Sequence, residues 1–223
     1  MIIKVLGAAG SEVPGHNCPA FLVDETFLLD AGTVALALNI REERTLRWIL
    51  LSHAHLDHIK GIPFLLDNLV SRSTGNTVTV LGGKDVLGDL KKNIFNDRIW
   101  PDFARIPSPG QPSLRYKILG TARPYEIDGY TITMEKVDHT VPAYGYIVED
   151  PEETAIAYTG DRSPTAWKNS RWRASTLPPP SSGKRSGRCP GPRDRSASCI
   201  SSPSSSRKSS RRSGRSDTTT SGS

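Results

Sequence analysis

Three histidines and an aspartate lie within six residues, directly after a short apolar run. The run is Trp48–Leu51, and the four polar residues are His53, His55, Asp57 and His58. A run of this length is typical of a strand buried in a sheet, and the loop after such a strand is where a rigid scaffold presents side chains to a ligand. Because His53 and His55 are two residues apart, they point the same way on an extended segment. The chain must therefore form a buried sheet with a polar loop at its edge.

The residue types of this loop indicate a metal site rather than surface or core histidines. Imidazole and carboxylate groups together suit zinc, and also manganese or iron. Two later segments have the same form, since His139 follows the apolar run that ends at Val137 and Asp161 follows the run Thr154–Tyr158. We predict that both residues join the loop, with Asp161 bridging two ions.

Only the first three quarters of the chain has the composition of a folded domain. Residues 169–223 contain 18 Ser, 10 Arg, 6 Pro and 5 Gly, and their only large aliphatic or aromatic side chains are Trp172, Leu177 and Ile200. Such a segment cannot bury enough apolar surface to offset an ordering cost of about 1–2 kcal/mol per residue. We expect one folded domain over residues 1–168 and a disordered Ser/Arg/Pro-rich tail over residues 169–223.

The net charge of +6 belongs to that tail. Residues 1–168 carry 17 Lys+Arg and 21 Asp+Glu, a balance of −4, whereas residues 169–223 carry 12 and 2, a balance of +10. Three interpretations of the tail stay open: a basic segment for nucleic acid or anionic membrane, a solvated tail without a partner, or a stretch translated out of frame.

Strand and helix signals alternate early and strands dominate later, which predicts an α/β fold of mixed sheets covered by helices. The longest apolar runs are under ten residues and three cysteines cannot form a disulfide framework, so we expect a cytoplasmic protein. A helix is predicted from a Thr33 cap to Ile40, and others over 59–69 and 84–94. Strands are predicted over 2–6, 20–23, 27–30, 48–51, 77–81, 114–119, 130–137, 144–148 and 154–158.

The segment His53–His58 resembles the HxHxDH signature of the metallo-β-lactamase-fold hydrolases. Phe27–Gly32 resembles the strand of that superfamily that ends in Asp-x-Gly, and Asp138–Pro142 and Tyr158–Asp161 are similar to its later metal-ligand segments. The resemblance implies an αββα sandwich, which we expect to be incomplete at its C-terminus.

Three further stretches resemble the bacterial class II-type 3′,5′-cyclic-nucleotide phosphodiesterases: Gly10–Gly15, Ile94–Phe103 and Arg105–Pro109. The resemblance implies a small-molecule partner, a cyclic nucleotide such as cyclic AMP, opened to the 5′-monophosphate. A nuclease of the same fold acting on tRNA 3′ ends, and an inactive metal-binding remnant with a basic tail, are the alternatives. The net charge of −4 over residues 1–168 favours a small substrate over nucleic acid. No membrane partner is expected. A homodimer is a further possibility.

The resemblance also implies a role for each site residue. Two zinc ions would be held, the first by His53, His55 and His139 and the second by Asp57 and His58, with Asp161 bridging and manganese or iron as alternatives. The family supplies one further His to the second ion, whereas this chain has no His after His139. We therefore expect an under-ligated second metal and a truncated or frameshifted C-terminus.

Four further roles follow from the same resemblance. Asp57 is the predicted catalytic residue, as a ligand that assists proton transfer to or from a metal-activated water. Asp30 is expected to orient a ligand His through its ring N–H. The base of the substrate would stack on Trp100, Phe103 or Tyr144, and His16 is interpreted as a non-ligand.

Overall fold

Two large sheets and a short hairpin make up the part of the protein that this computed structural model describes, residues 1–72, 75–121 and 123–161 with the backbone of 198–200. The strands are β1 (Ile3–Gly7), β2 (Ala20–Val23), β3 (Phe27–Leu29), β4 (Trp48–Leu50), β5 (Val78–Gly82), β6 (Pro107–Ser108), β7 (Gln111–Pro112), β8 (Leu114–Ile118), β9 (Pro124–Ile127), β10 (Tyr130–Val137), β11 (Ala143–Glu149), β12 (Ala155–Tyr158) and β13 (Ser198–Ile200). The first sheet has the order β1-β2-β3-β4-β5-β8 and the second the order β13-β12-β11-β10-β9.

The helices are short and follow strands of the first sheet. They are α1 (Ile40–Thr45), α2 (Leu56–Ile59), α3 (Gly61–Ser71) and α4 (Lys84–Asp89), and a π-helical turn (Leu90–Ile94) continues α4. Among the described residues no helix is both long and apolar enough to cross a membrane.

Strands β2 and β3 of the first sheet are buried on both faces. Every residue of β3 is fully buried, whereas burial alternates along β10, where Ile132 and Met134 are buried and their neighbours are not. One face of the first sheet meets the second sheet, with the Phe27 and Tyr130 rings 4.8 Å apart. The apolar side of α3 belongs to the same core. Helix, sheet and sheet therefore form successive layers.

Strand direction brings the polar loops to one edge of these layers. Strands β3, β4, β5 and β8 are parallel, so the segments after β3 and β4 leave the first sheet on the same side. Strands β10 and β12 are both antiparallel to β11 and therefore end on one side of the second sheet. The Tyr144 N–H donates to the Ser52 carbonyl at 2.9 Å, which joins the two edges where the site lies.

The predicted strands are confirmed to within a residue or two, and the helices over 59–69 and 84–94 are confirmed with a break at Lys60 and a π-helical end. The helix from Thr33 is wrong. The Thr33 hydroxyl accepts the Cys18 N–H at 3.0 Å, residues 33–38 form turns, and the helix begins at Ile40. Asn39 caps it, in a reciprocal arrangement with Glu42, which satisfies otherwise unpaired N–H groups at the helix start.

Within the predicted tail, Ser198–Ile200 pairs as a strand parallel to β12. No strand is predicted there from the sequence, nor at β9 or the β6–β7 hairpin. The rest of the predicted tail lies outside the described residues.

Candidate metal centre

The histidines of the loop after β4 lie where the backbone changes from an extended segment to helix α2. His53 continues the extended segment and is fully buried. His55 is the N-cap of α2, so Asp57 and His58 lie on the first turn of a helix. A Cβ at Gly32 would lie 1.9 Å from the Asp57 carbonyl oxygen. Only glycine allows the Asp-x-Gly turn to pack this closely against the loop, and this contact fixes where α2 begins.

His53, His55 and His139 form a first group of ligand atoms. The His53 Nε2 and His55 Nδ1 atoms are 3.0 Å apart, and the His139 Nε2 atom is 3.3 Å from the same His55 nitrogen. One nitrogen from each ring lies within 4.8 Å of the other two. Three converging imidazoles are a donor set that zinc accepts, so this group fits a metal ion.

His53, His58 and Asp161 form a second group, also within 4.8 Å. The His58 Nε2 atom is 3.5 Å from Asp161 Oδ1 and 3.6 Å from Asp57 Oδ2. Both His58 Nε2 and Asp161 Oδ1 are buried without a hydrogen-bond partner among the described residues. Buried polar atoms are normally satisfied, and an ion is one explanation when they are not. The second group therefore also fits a metal ion.

Asp30 positions His58, a residue of the second group, by a hydrogen bond. This carboxylate is fully buried and accepts hydrogen bonds from His58 Nδ1 at 2.6 Å, from the Ser52 N–H at 2.7 Å and from the Tyr158 hydroxyl at 2.5 Å. The histidine that Asp30 orients is His58, and its role as a metal ligand stays a prediction. Its bond to Nδ1 leaves the His58 Nε2 atom facing the site.

The Ser52 hydroxyl connects Asp30 to His53, a residue of the first group. The Ser52 hydroxyl donates to Asp30 at 2.6 Å and lies 2.9 Å from His53 Nδ1. Because the hydroxyl proton is directed at Asp30, His53 Nδ1 must be the donor in the second contact. The lone pair of His53 is then on Nε2, the atom that lies 3.0 Å from His55 Nδ1.

Electrostatics divide the histidines into two kinds. Burial, followed by the charge of His58, lowers the pKa of His53 to about 3. Burial and the neighbouring His55 also lower the pKa of His139. Burial acts to lower the pKa of His58, but the Asp30 charge and contacts with Asp161 outweigh it and raise the pKa to about 10. His53 and His139 therefore offer neutral nitrogens, whereas a metal must displace a proton from His58.

The structure thus brings together all six predicted ligand residues, which are His53, His55, Asp57, His58, His139 and Asp161. His16 is exposed and belongs to neither group. Ser52 and Tyr158 were missed, because a serine before the motif and a tyrosine in a strand carry no signal in one sequence.

The prediction that an aromatic ring stacks on the base of the substrate is wrong for two of the three candidate side chains. Phe103 and Tyr144 are only 2% and 5% exposed, so neither ring offers a face to a ligand. Tyr144 instead packs so closely on Gly83 that a Cβ there would lie 2.1 Å from the ring. Trp100 is partly exposed, and its ring lies edge-on to Phe64 at 5.2 Å.

Residues 25–175 match the family model of the β-lactamase superfamily domain. Over 158 residues the chain is 30% identical to a ribonuclease Z of Bradyrhizobium diazoefficiens, covering 67% of this chain and 50% of that protein. It is 26% identical over 192 residues to a 3′,5′-cyclic-nucleotide phosphodiesterase of Aliivibrio fischeri, covering 71% and 56%. The chain spans about half the length of the curated relatives it matches.

Solved structures share the fold. Unliganded yeast PDE1 matches with a TM-score of 0.60 and 18% identity, covering 73% of this chain and 66% of that one. The Bacillus subtilis metallo-β-lactamase-fold protein YhfI matches at 0.56 with 19% identity, covering 71% and 61%. The short form of human tRNase Z matches at 0.52 with 14% identity, covering 71% and 68%.

Proposed function

Because the chain belongs to the β-lactamase superfamily and has the metallo-β-lactamase fold, we propose that it is a zinc-dependent phosphodiesterase that opens a 3′,5′-cyclic nucleotide such as cyclic AMP to the 5′-monophosphate. The superfamily is one of hydrolytic metalloenzymes. The observation that carries the proposal is the convergence of two ligand groups that share His53. Adjacent ions are the arrangement that in-line attack at phosphorus uses.

The two groups of ligand residues would hold one metal ion each. His53, His55 and His139 would hold one ion, and His58, Asp57 and Asp161 the other. When bound, such ions polarise a phosphoryl oxygen and lower the pKa of water to about 7. Zinc suits the imidazole-rich donor set, and manganese or iron are the alternatives.

Asp57 is the carboxylate that we assign to proton transfer. Its side chain is about a quarter exposed and makes no hydrogen bond among the described residues, although Asp57 Oδ2 lies 3.6 Å from His58 Nε2. The Asp161 side chain is equally exposed, but its Oδ1 atom is buried beside His58. Of the two acids, Asp57 can therefore take a proton in the cluster and release it to solvent.

The charge of the domain favours a small substrate. Residues 1–168 carry 17 basic and 21 acidic side chains, and a protein that binds a long polyanion needs a basic surface. The cyclic-nucleotide phosphodiesterases of Aliivibrio fischeri and Schizosaccharomyces pombe are among the relatives. A tRNA 3′-processing activity is the second candidate, because ribonuclease Z relatives match over most of the domain.

The test compares the two substrates on one preparation. The zinc-loaded chain is incubated with cyclic AMP or precursor tRNA, and products are separated by chromatography or gel. We expect 5′-AMP from the unaltered chain and from His16→Ala, and none from His55→Ala. Cleavage of precursor tRNA alone would favour the second candidate. Stable binding of zinc with neither product would contradict both.

A further inference from the structure

A cavity of about 330 Å³ opens beside the metal-binding loop. Lys60 and Gly61 line it and follow His58 by two and three residues. Gly32 lines it from the other side, where its backbone packs against the Asp57 carbonyl. The cavity is therefore continuous with the segments that position His58 and Asp57, although none of the six ligand residues lines it.

Exposed apolar side chains surround this cavity. Leu36 is 87% exposed and Phe64 is 53% exposed, and both line it. The Trp100 ring lies against Phe64 with an interplanar angle of 68°, which fixes the Phe64 ring from one side. Exposed apolar surface that is grouped around a cavity and rimmed by polar groups marks a binding site.

The polar groups of the cavity are few and anchored. The Lys60 ammonium is paired with the Glu12 carboxylate, and both line the cavity. The Asn68 amide, also in the lining, donates to Glu43 Oε1 at 3.0 Å.

Backbone hydrogen bonds fix the cavity walls. The Gly61 N–H donates to the Ala31 carbonyl, and the Ala31 N–H donates to the His58 carbonyl, both at 2.8 Å. The Gly32 N–H donates to the Pro19 carbonyl at 2.8 Å. The walls are thus preformed, which reduces the entropy lost when a ligand binds.

We propose that this cavity binds the nucleobase of the phosphodiester substrate while its phosphate lies at the metal centre, an inference that rests on the proposed function. A base offers two flat apolar faces and a polar edge. The cavity lining supplies apolar side chains for the faces, Phe64 and Leu36, and polar side chains for the edge, Lys60, Glu12 and Asn68. The volume lies within the range of small-molecule sites.

The experiment separates the base from the rest of the nucleotide. The zinc-loaded chain is titrated calorimetrically with 5′-AMP and with ribose 5-phosphate, which has the sugar and phosphate but no base. Since stacking of one base contributes about 1–3 kcal/mol, we expect 5′-AMP to bind at least about 5-fold more tightly. Phe64→Ala and Leu36→Ala should each reduce this preference and leave ribose 5-phosphate binding unchanged.

Ile2→Ala is the matched control. Ile2 is 76% exposed and precedes β1, whose first residue pairs with Val23 at the end of the sheet away from Asp30. Both cavity side chains are exposed, so their truncation should leave folding intact, which circular dichroism checks. Equal binding of the two ligands, or a preference that survives in both cavity variants, would overturn the inference.

Two further outcomes separate this inference from the proposed function. If the chain hydrolyses cyclic AMP but binds 5′-AMP no more tightly than ribose 5-phosphate, the proposed activity stands and the cavity is not the base-binding site. If Phe64→Ala abolishes the base preference but the unaltered chain hydrolyses neither substrate, the cavity is a base-binding site and the proposed activity is wrong. If Phe64→Ala instead splits a dimer in size-exclusion chromatography and the preference is unchanged, a second copy occupies the cavity and the inference fails.

Discussion

Asp30 is the residue on which both ligand groups depend. Burial acts to raise its pKa, but the His58 charge and hydrogen bonds from His58, Ser52 and Tyr158 outweigh that effect and lower the pKa. The carboxylate therefore stays ionised in the core. It orients His58 directly and His53 through the Ser52 hydroxyl. A single buried charge thus sets which nitrogen of each histidine faces the metals.

Ser52→Ala tests the second of these connections. Without the hydroxyl, His53 Nδ1 loses its acceptor and the ring is free to adopt either tautomer. Loss of a partner that orients a ligand typically costs about 10–100-fold in metal affinity, and we expect a loss of this size in zinc competition with a chelating dye. Ser108→Ala, at an exposed position of β6, should change nothing. An unchanged affinity in Ser52→Ala would show that the hydroxyl does not orient His53.

Asp30→Asn tests the buried charge. Asp30 has a φ of 55°, and asparagine tolerates this left-handed conformation, so the substitution changes the hydrogen bonding and not the backbone. Removing one partner of a buried ion pair costs about 3–5 kcal/mol, which urea denaturation of the metal-free chain should show. Asp128→Asn is the control, since Asp128 has a φ of 54° but is exposed. A loss no larger than that of the control would mean that His58 is not charged in the fold.

At the scale of elements, the site depends on how closely the Asp-x-Gly turn approaches α2. A Cβ at Gly32 would meet the Asp57 carbonyl at 1.9 Å and the Pro19 carbonyl at 2.9 Å, and backbone atoms cannot move aside cheaply. The turn after β3 and the loop after β4 are therefore one unit, in which a change in the turn displaces the ligands.

Gly32→Ala should accordingly lower both the free energy of unfolding and the affinity for zinc. Gly88→Ala is the matched control, because Gly88 lies in α4 with no atom within 4 Å of an added Cβ. That variant should be as stable as the unaltered chain or more so, by up to about 1 kcal/mol. Both quantities are measured by urea denaturation and dye competition. Normal zinc affinity in Gly32→Ala would show that the turn does not position α2.

The sequence predicted most strands because their apolar runs are short and bounded by turns. It predicted the site because residues of metal-ligand type follow apolar runs, with His53–His58 after β4, His139 after β10 and Asp161 after β12. The Thr33 helix failed because a local cap signal cannot show that the Thr33 hydroxyl is already bound to Cys18. Ser52 and Tyr158 were missed because only the folded sheets bring their hydroxyls to Asp30.

At the scale of the whole molecule, the metal centre joins the two sheets. The loop His53–His58 extends from the first sheet, whereas His139 and Asp161 follow strands of the second. A bound ion therefore connects the two layers, and binding to the folded state alone adds stability, about 2.7 kcal/mol at a free concentration 100 times Kd.

Zinc should therefore raise the free energy of unfolding of the chain, measured by urea denaturation with and without the ion. The increase should grow with the logarithm of the zinc concentration. It should be small or absent in His55→Ala, which lacks a ligand of the first group. Equal stabilisation of both proteins would place the tight zinc site elsewhere.

The number of tightly bound ions tests the central claim most directly. His58 must lose a proton before it can bind an ion, and no His follows His139 in the sequence to add to the second group, so we expect only the first group to hold an ion tightly. After dialysis against zinc-free buffer, elemental analysis should find one zinc per chain in the unaltered protein and in His16→Ala, and none in His55→Ala. Zinc retained in full by His55→Ala, or two tight ions in the unaltered chain, would contradict this assignment of the ligands.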